Sequence, residues 1–107
     1  MEYQRQFYRI RYRERDRPVL QAAGAELQVL DLSENGACCV STPVFEQGSP
    51  PLPVQVLLRD GTKFSTTASF VREEEDRLAI QFSPSIPLSI IFSEQRRLRR
   101  LYPNEEE

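Results

Sequence analysis

From Pro18 to Phe82, apolar residues recur at every second position in short runs, the signature of strands that bury one face. Pro18–Ala22 reads as a first short strand, with Gly24 in the turn after it. Leu27 and Val29 alternate with Glu26 and Gln28 in a second strand that runs into Asp31. Ser33 to Gly36 carries turn chemistry, and Ala37 to Ser41 returns as a third strand. Residues 43–53 hold Pro43, Pro50, Pro51, Pro53 and Gly48, which predicts an exposed connector and excludes a central strand. Val54, Val56 and Leu58 alternate again, Asp60-Gly61 marks a hairpin, and Phe64, Thr66, Ala68 and Phe70 form the returning strand. The acidic run 73–76 caps a second hairpin before Leu78, Ile80 and Phe82.

The period then changes. Pro84 and Pro87 end the sheet, and Leu88, Ile91, Phe92, Leu98, Leu101 and Tyr102 fall on one helical face. Ser85 is the expected cap and Pro103 the expected stop. Arg96, Arg97, Arg99 and Arg100 crowd the last turns, where cations suit the helix dipole, and they read as a solvated face. Six strands and one terminal helix predict an all-β fold, a small antiparallel barrel with the helix covering an open side. Residues 1–16 are polar, basic and without period, which predicts a flexible arm over 1–17 in front of a barrel-plus-helix body over 18–107, a single domain overall.

Composition narrows the function. Hydrophobic residues make up 39% of the chain and charged residues 28%, ordinary values for a globular domain. No apolar run approaches the ~20 residues of a membrane span, and no apolar core follows the basic N-terminus as a signal peptide would need. That points to the cytoplasm. Cys38 and Cys39 are adjacent, so on a strand they point to opposite faces and do not bridge. With no histidine there is neither a general base of the usual kind nor a good zinc ligand set, and no catalytic residue, metal or cofactor is expected. The net charge of −2 hides an asymmetry: arginines at 5, 9, 11, 13, 15 and 17 face acid collected at 73–76 and 105–107. An anion-attracting N-terminus on a mildly acidic body follows.

Two motifs carry chemistry: Arg5-Gln6-Phe7-Tyr8-Arg9, an RxxxR spacing, and Asp31-Leu32-Ser33-Glu34-Asn35-Gly36, a DxSxxG spacing. Guanidinium forks match phosphate oxygens and the O6/N7 edge of guanine, and a carboxylate accepts from guanine's N1 and N2 hydrogens. Together they suit an anionic guanine nucleotide. Their order and separation, with "VLDLSENGACCV", "LAIQF" and "SEQRRLRRLY" following, resemble the PilZ domain, a bacterial receptor for cyclic di-GMP.

The resemblance implies a six-stranded, Greek-key or split antiparallel barrel with a C-terminal α-helix. It implies that Arg5 and Arg9 contact phosphates and a guanine Hoogsteen edge, and that Asp31 and Ser33 contact a guanine. Gly36 is assigned to the same site, as a place where a side chain would clash with a sharp turn or with the ligand. Leu32, Glu34 and Asn35 receive no contact. Relatives often carry an arginine where this chain has Gln4, a position tied to uptake of a stacked ligand pair, so Gln4 points to a single molecule. Relatives also often carry glycine at Ala79, a change expected to affect packing only. The implied function is a ligand-switched receptor whose N-terminal arm folds over the barrel and signals to an unidentified downstream protein. Two alternatives stand beside it: a small nucleic-acid-binding barrel, and a PilZ-like adaptor that binds protein but no nucleotide. The arm's lack of lysine, the absence of an aromatic stacking platform and the negative net charge argue against nucleic acid. The intact motif residues argue against the adaptor.

Overall fold

The computed structural model describes residues 9–103. Its elements in chain order are β1 (Ile10–Arg11), a single 3-10 turn (Glu14–Asp16), β2 (Val19–Ala22), β3 (Ala25–Ser33), β4 (Gly36–Val40), β5 (Leu52–Leu57), β6 (Lys63–Glu74), β7 (Arg77–Ser83) and α1 (Leu88–Leu101). All strand pairs are antiparallel, in the order β1-β3-β2-β5-β6-β7-β4, and β4 pairs back onto β3. Strands β2 to β7 therefore close a six-stranded barrel, which leaves no edge among them. Short β1 is the extra strand, laid against the end of β3 beyond β2, with Ile10 opposite Leu32 and Arg11 opposite Asp31.

The alternation seen in the sequence is what fills the barrel. Leu20, Val29, Leu32, Cys39, Val56, Ala68 and Leu78 are fully buried inside it, and Ile91 of α1 is equally buried in the helix seam. Cys39 sits in this core while its neighbour Cys38 stays half-buried, and both are free thiols. The tight turns follow local chemistry. At 60–62 Asp60 accepts from the Thr62 N–H at 2.9 Å, and Gly61 takes a left-handed φ of +95°.

Four expectations change. The N-terminal stretch is not a free arm beyond residue 9: Ile10 and Tyr12 are buried in the barrel end, and Asp16 is buried too. Residues 1–8 of that predicted arm, with Gln4 and Arg5, lie outside the described residues. β5 begins at Leu52, inside the proline-rich connector, and Pro53 fits because its neighbour β2 is already finished opposite Val54. The same connector is not wholly exposed, since Phe45 plugs the core. Pro87, not Ser85, holds the N-cap position of α1, without a side-chain capping bond, and the Ser85 hydroxyl donates to Asn35 Oδ1 at 2.6 Å instead.

The apolar face of α1 also differs. Leu88 and Leu101 are exposed, and the buried positions are Ile91 and Glu94, with Ile90 and Leu98 packed beside them. Glu94 is buried because three donors meet it. Tyr12 donates its hydroxyl to Oε2 at 2.7 Å, and Arg97 donates from Nε to Oε1 at 2.9 Å and from a terminal nitrogen to Oε2 at 3.1 Å. Arg97 is thus part of a buried network and not of the solvated basic face.

Candidate functional site

The site residues depend on two β-bulges. Along β3 and β4 the partners run Val29 with Cys39, then Asp31 with Cys38, so Leu30 is an extra residue. In an unbroken ladder Leu30 would face Cys38, and Asp31 would point inward beside buried Ala37. The bulge reverses that parity: Val29 and Leu32 both point into the core, and Asp31 and Ser33 stand on the outer face. Along β6 and β7 the partners run Phe70 with Ile80, then Arg72 with Ala79, so Val71 is the extra residue and is left 47% exposed. Without that bulge Arg72 would take the place opposite Leu78 that exposed Glu73 holds, and Val71 would stand opposite Ala79.

The two shifts bring one outer row into line across five strands: Arg11, Asp31, Cys38, Ala79 and Arg72. A second row runs beside it: Ser33, Gly36, Gln81 and Ser69. Continuing the β1–β3 register by one residue sets exposed Arg9 opposite Ser33. Cys38, Ala79 and Gly36 in the middle of these rows are small, with exposed Gln81 beside them, which leaves a shallow floor with charge at its margins.

Electrostatics centre on Asp31. Its half-buried carboxyl is pushed above the usual carboxylate range, chiefly by loss of water around it. The Arg9 and Arg11 guanidiniums, an N–H from Cys38 and the Arg77 guanidinium pull the other way without overcoming burial. The Cys38 thiol is likewise pushed up by burial and by Asp31, against Arg77, Arg72 and Arg9. Four arginines on three strands and the chain end before them therefore act on the patch around the under-solvated Asp31 carboxylate.

Of the sequence-assigned residues, Arg9, Asp31 and Ser33 share the outer face. Gly36 has a different reason to be glycine. A Cβ there would stand 2.2 Å from the Ile80 carbonyl oxygen and 3.3 Å from the Gln81 Cα, so close approach of β7 forbids a side chain. Strand packing thus requires glycine at 36 independently of any ligand. Ser33 Oγ donates to the Gly36 carbonyl at 3.4 Å, closing the turn on itself.

The unassigned middle of the motif also has work. The Asn35 carbonyl accepts from the Phe82 N–H at 2.8 Å, and the Glu34 carbonyl accepts from the Ile86 N–H at 2.9 Å. These backbone bonds fix the turn to the segment leading into α1, and no side-chain pattern announces them. Ala79, expected to matter for packing alone, lies in the floor between Cys38 and Arg72.

Sequence reasoning missed the ties between the N-terminal segment and α1. Besides Tyr12–Glu94, the Tyr102 hydroxyl donates to Asp16 at 2.7 Å and accepts from Arg15 Nε at 3.0 Å, while the Arg13 guanidinium lies 4.0 Å from the Tyr102 ring centre. The available signals were Glu94 and Arg97 at i, i+3 and an acidic residue inside an apolar stripe. An open groove of about 720 Å³ lies between residues 41–47 and the bulged part of β6, and Arg72 is its one residue from the two rows. Among the described residues no cluster of His, Cys, Asp and Glu could hold a metal, and no helix is long and apolar enough to cross a membrane.

A closed six-stranded antiparallel barrel with one C-terminal helix defines the class of small β-barrel domains, here with charge gathered on one outer face. The PilZ domain family model matches residues 3–102, and the chain belongs to the PilZ family. PilZ domains are a cyclic di-GMP-binding family of binding and adaptor modules rather than enzymes, and they typically act with partner proteins. Among solved structures, an uncharacterized Legionella protein, Lpg0364, has the same fold: TM-score 0.65 at 15% identity, covering 91% of this chain and 99% of that one. No curated protein matches the chain.

Proposed function

We propose that this chain is a cyclic di-GMP receptor that binds the messenger on the outer face between β1, β3, β4 and β7 and hands the signal to a partner protein. The observation that carries the reading is Asp31: a carboxylate aimed outward by a bulge, short of water, and flanked by Arg9, Arg11 and Arg77. An under-solvated carboxylate gains most from a ligand that brings hydrogen-bond donors, and guanine offers N1–H and the N2 amine side by side. Ser33 adds a hydroxyl on the same face. Arg9, with Arg5 upstream, supplies the phosphate and Hoogsteen contacts.

A bidentate arginine–guanine pair discriminates by about 1–3 kcal/mol, enough to separate guanine from adenine when two such elements act together. The outward rows contain no aromatic side chain among the described residues, so single-stranded nucleic acid finds no stacking platform there. Binding would draw the Arg5–Arg9 stretch over the floor and present a ligand-dependent surface for the partner to read.

Calorimetric titration with cyclic di-GMP, cyclic di-AMP and GTP side by side tests the reading. Cyclic di-GMP should bind at micromolar concentration or better, Arg9→Ala should weaken it at least tenfold, and Asp31→Ala should erode guanine selectivity more than anion binding. A folded chain that ignores cyclic di-GMP at these concentrations overturns it.

A further inference from the structure

We propose that Arg72 and Arg77 form a second, barrel-borne anion jaw that contacts a phosphate of the ligand held at Asp31. This inference rests on the cyclic di-GMP reading and extends it to residues outside both motifs. The first observation is the bulge at Val71. It leaves an apolar side chain 47% exposed and sets Arg72, in place of Val71, opposite Ala79 in the outer row. A fold tolerates an exposed valine and a broken ladder where the re-aimed residue has a use.

The second observation is position. Arg77 pairs with Val40 on β4 and stands diagonally beside Cys38, on the same outer face and close enough to Asp31 to act on its charge. Arg72 and Arg77 thus face Arg9 and Arg11 across the floor of Cys38, Ala79 and Gly36. Counted along the strands, Asp31 and Arg72 are three spacings apart, about 14 Å along the outer surface. Two extended guanidinium side chains narrow that gap from its ends, and the small residues between them let a flat ligand lie close to the backbone.

The third observation is charge. Arg9, Arg11, Arg72 and Arg77 surround the floor, against Asp31 and Glu74. The restraint on Arg72 is weak: Arg72 Nε and Glu74 Oε2 are 4.0 Å apart, with side chains 66% and 76% exposed. Such a pair gives way readily to a phosphate. Glu74 also stands opposite Arg77 in the β6–β7 register, so one carboxylate neighbours both jaw residues.

The test is calorimetric titration of cyclic di-GMP into the wild-type chain and into Arg72→Gln, Arg77→Gln, the double variant, Arg77→Lys and Glu74→Gln. Circular dichroism serves as the fold check. Each glutamine variant should lose about tenfold in affinity, since a charge-assisted bond is removed. Arg77→Lys should keep most of it, because a phosphate accepts a point charge. Glu74→Gln should bind severalfold tighter, a gain that no structural role of Glu74 produces. If Asp31→Ala abolishes binding while the double variant binds like wild type, the receptor reading stands and the jaw falls. Unchanged or weaker binding by Glu74→Gln also overturns the jaw, whether or not the double variant folds. A wild-type chain that does not bind cyclic di-GMP overturns both.

Discussion

Removing one oxygen atom from Tyr12 should loosen the grip between the N-terminal segment and α1. The phenol donates to Glu94 Oε2 at 2.7 Å, with Tyr12 8% and Glu94 2% exposed, so water cannot replace the lost donor. A hydrogen bond to a charged group contributes about 1.5–3 kcal/mol, and a buried carboxylate short of a donor is costly. Tyr12→Phe should therefore lower unfolding stability by about 2 kcal/mol and Tm by about 10 °C for a chain of this size. In a cycle with Glu94→Gln, the double variant should lose less than the sum of the singles, by about 1–2 kcal/mol, because both remove the same bond. Alkali gives an independent readout. Burial, with Glu94 beside it, raises the Tyr12 phenol far above its usual value of 10.0, so the folded chain keeps this proton where the unfolded chain releases it. Stability should then fall as pH rises above about 10, by up to ~1.4 kcal/mol per pH unit from this group. The buried Cys39 thiol, pushed up to about 12 from 9.0, starts a similar decline from about pH 9. Urea unfolding followed by circular dichroism at pH 7 and across pH 9–11 measures all of this. A Tyr12→Phe loss below about 0.5 kcal/mol, additive with Glu94→Gln and with an unaltered alkaline slope, would refute the reasoning.

Gly36→Ala places a Cβ 2.2 Å from the Ile80 carbonyl, so β4 and β7 must part by roughly 1 Å and stability should drop by about 2–3 kcal/mol without ligand present. Thermal unfolding of the ligand-free chain checks it, and an unchanged Tm would return Gly36 to a ligand-facing role. Asp31→Asn should stabilise the ligand-free fold and weaken cyclic di-GMP binding at once. A raised carboxyl means the folded state favours the protonated form, so the ionised form detracts from stability above the usual carboxylate pKa of 3.8. For the same reason wild-type affinity should begin to fall at a higher pH on acidification than an ordinary carboxylate would give, while Asp31→Asn stays flat. Parallel melts and pH-dependent titrations decide, and a destabilised Asp31→Asn would contradict the assigned desolvation.

The strands and the helix were legible because burial imposes period 2 on one and about 3.6 on the other, and Leu20 to Phe82 obey the first closely. What could not be read were the breaks in period. Leu30 and Val71 look like ordinary strand residues, and only the partner strand shows that each is unpaired. The 27, 29, 32 spacing of buried residues does carry a trace of the first bulge, whereas the second falls among exposed residues and leaves none. Glu94 was hidden for the opposite reason: a carboxylate reads as solvated until Tyr12, 82 positions away, is known to reach it. Gly36 was legible as a required glycine, but its cause lies in the Ile80 backbone of another strand. Arg9, Asp31 and Ser33 were found through their spacing, and the arginines of β6 and β7 were not, since no short motif spans them.

The irregular features of the barrel all serve one face and its connection to the helix. A regular six-stranded barrel with this sequence would turn Asp31 inward, where it would need a partner or a pKa shift to survive, and would set Val71 rather than Arg72 opposite Ala79. The two extra residues place Asp31 and Arg72 on one outer row, at the cost of two broken ladders and an exposed valine. On the same side, β1 holds Arg11 opposite Asp31, and the next residue, Tyr12, is bonded to Glu94. A strand pairing and a buried hydrogen bond thus connect the Arg9–Arg11 segment to the middle of α1. The Ser33–Gly36 turn reaches the start of α1 by a separate route, through Asn35 and Glu34 carbonyls bonded to Phe82 and Ile86. A ligand bridging Arg9 and Ser33 would touch both routes, one to the middle of α1 and one to the segment before it. In the proposed receptor, the exposed Arg96, Arg99 and Arg100 face of α1 is accordingly the surface whose position a partner can read.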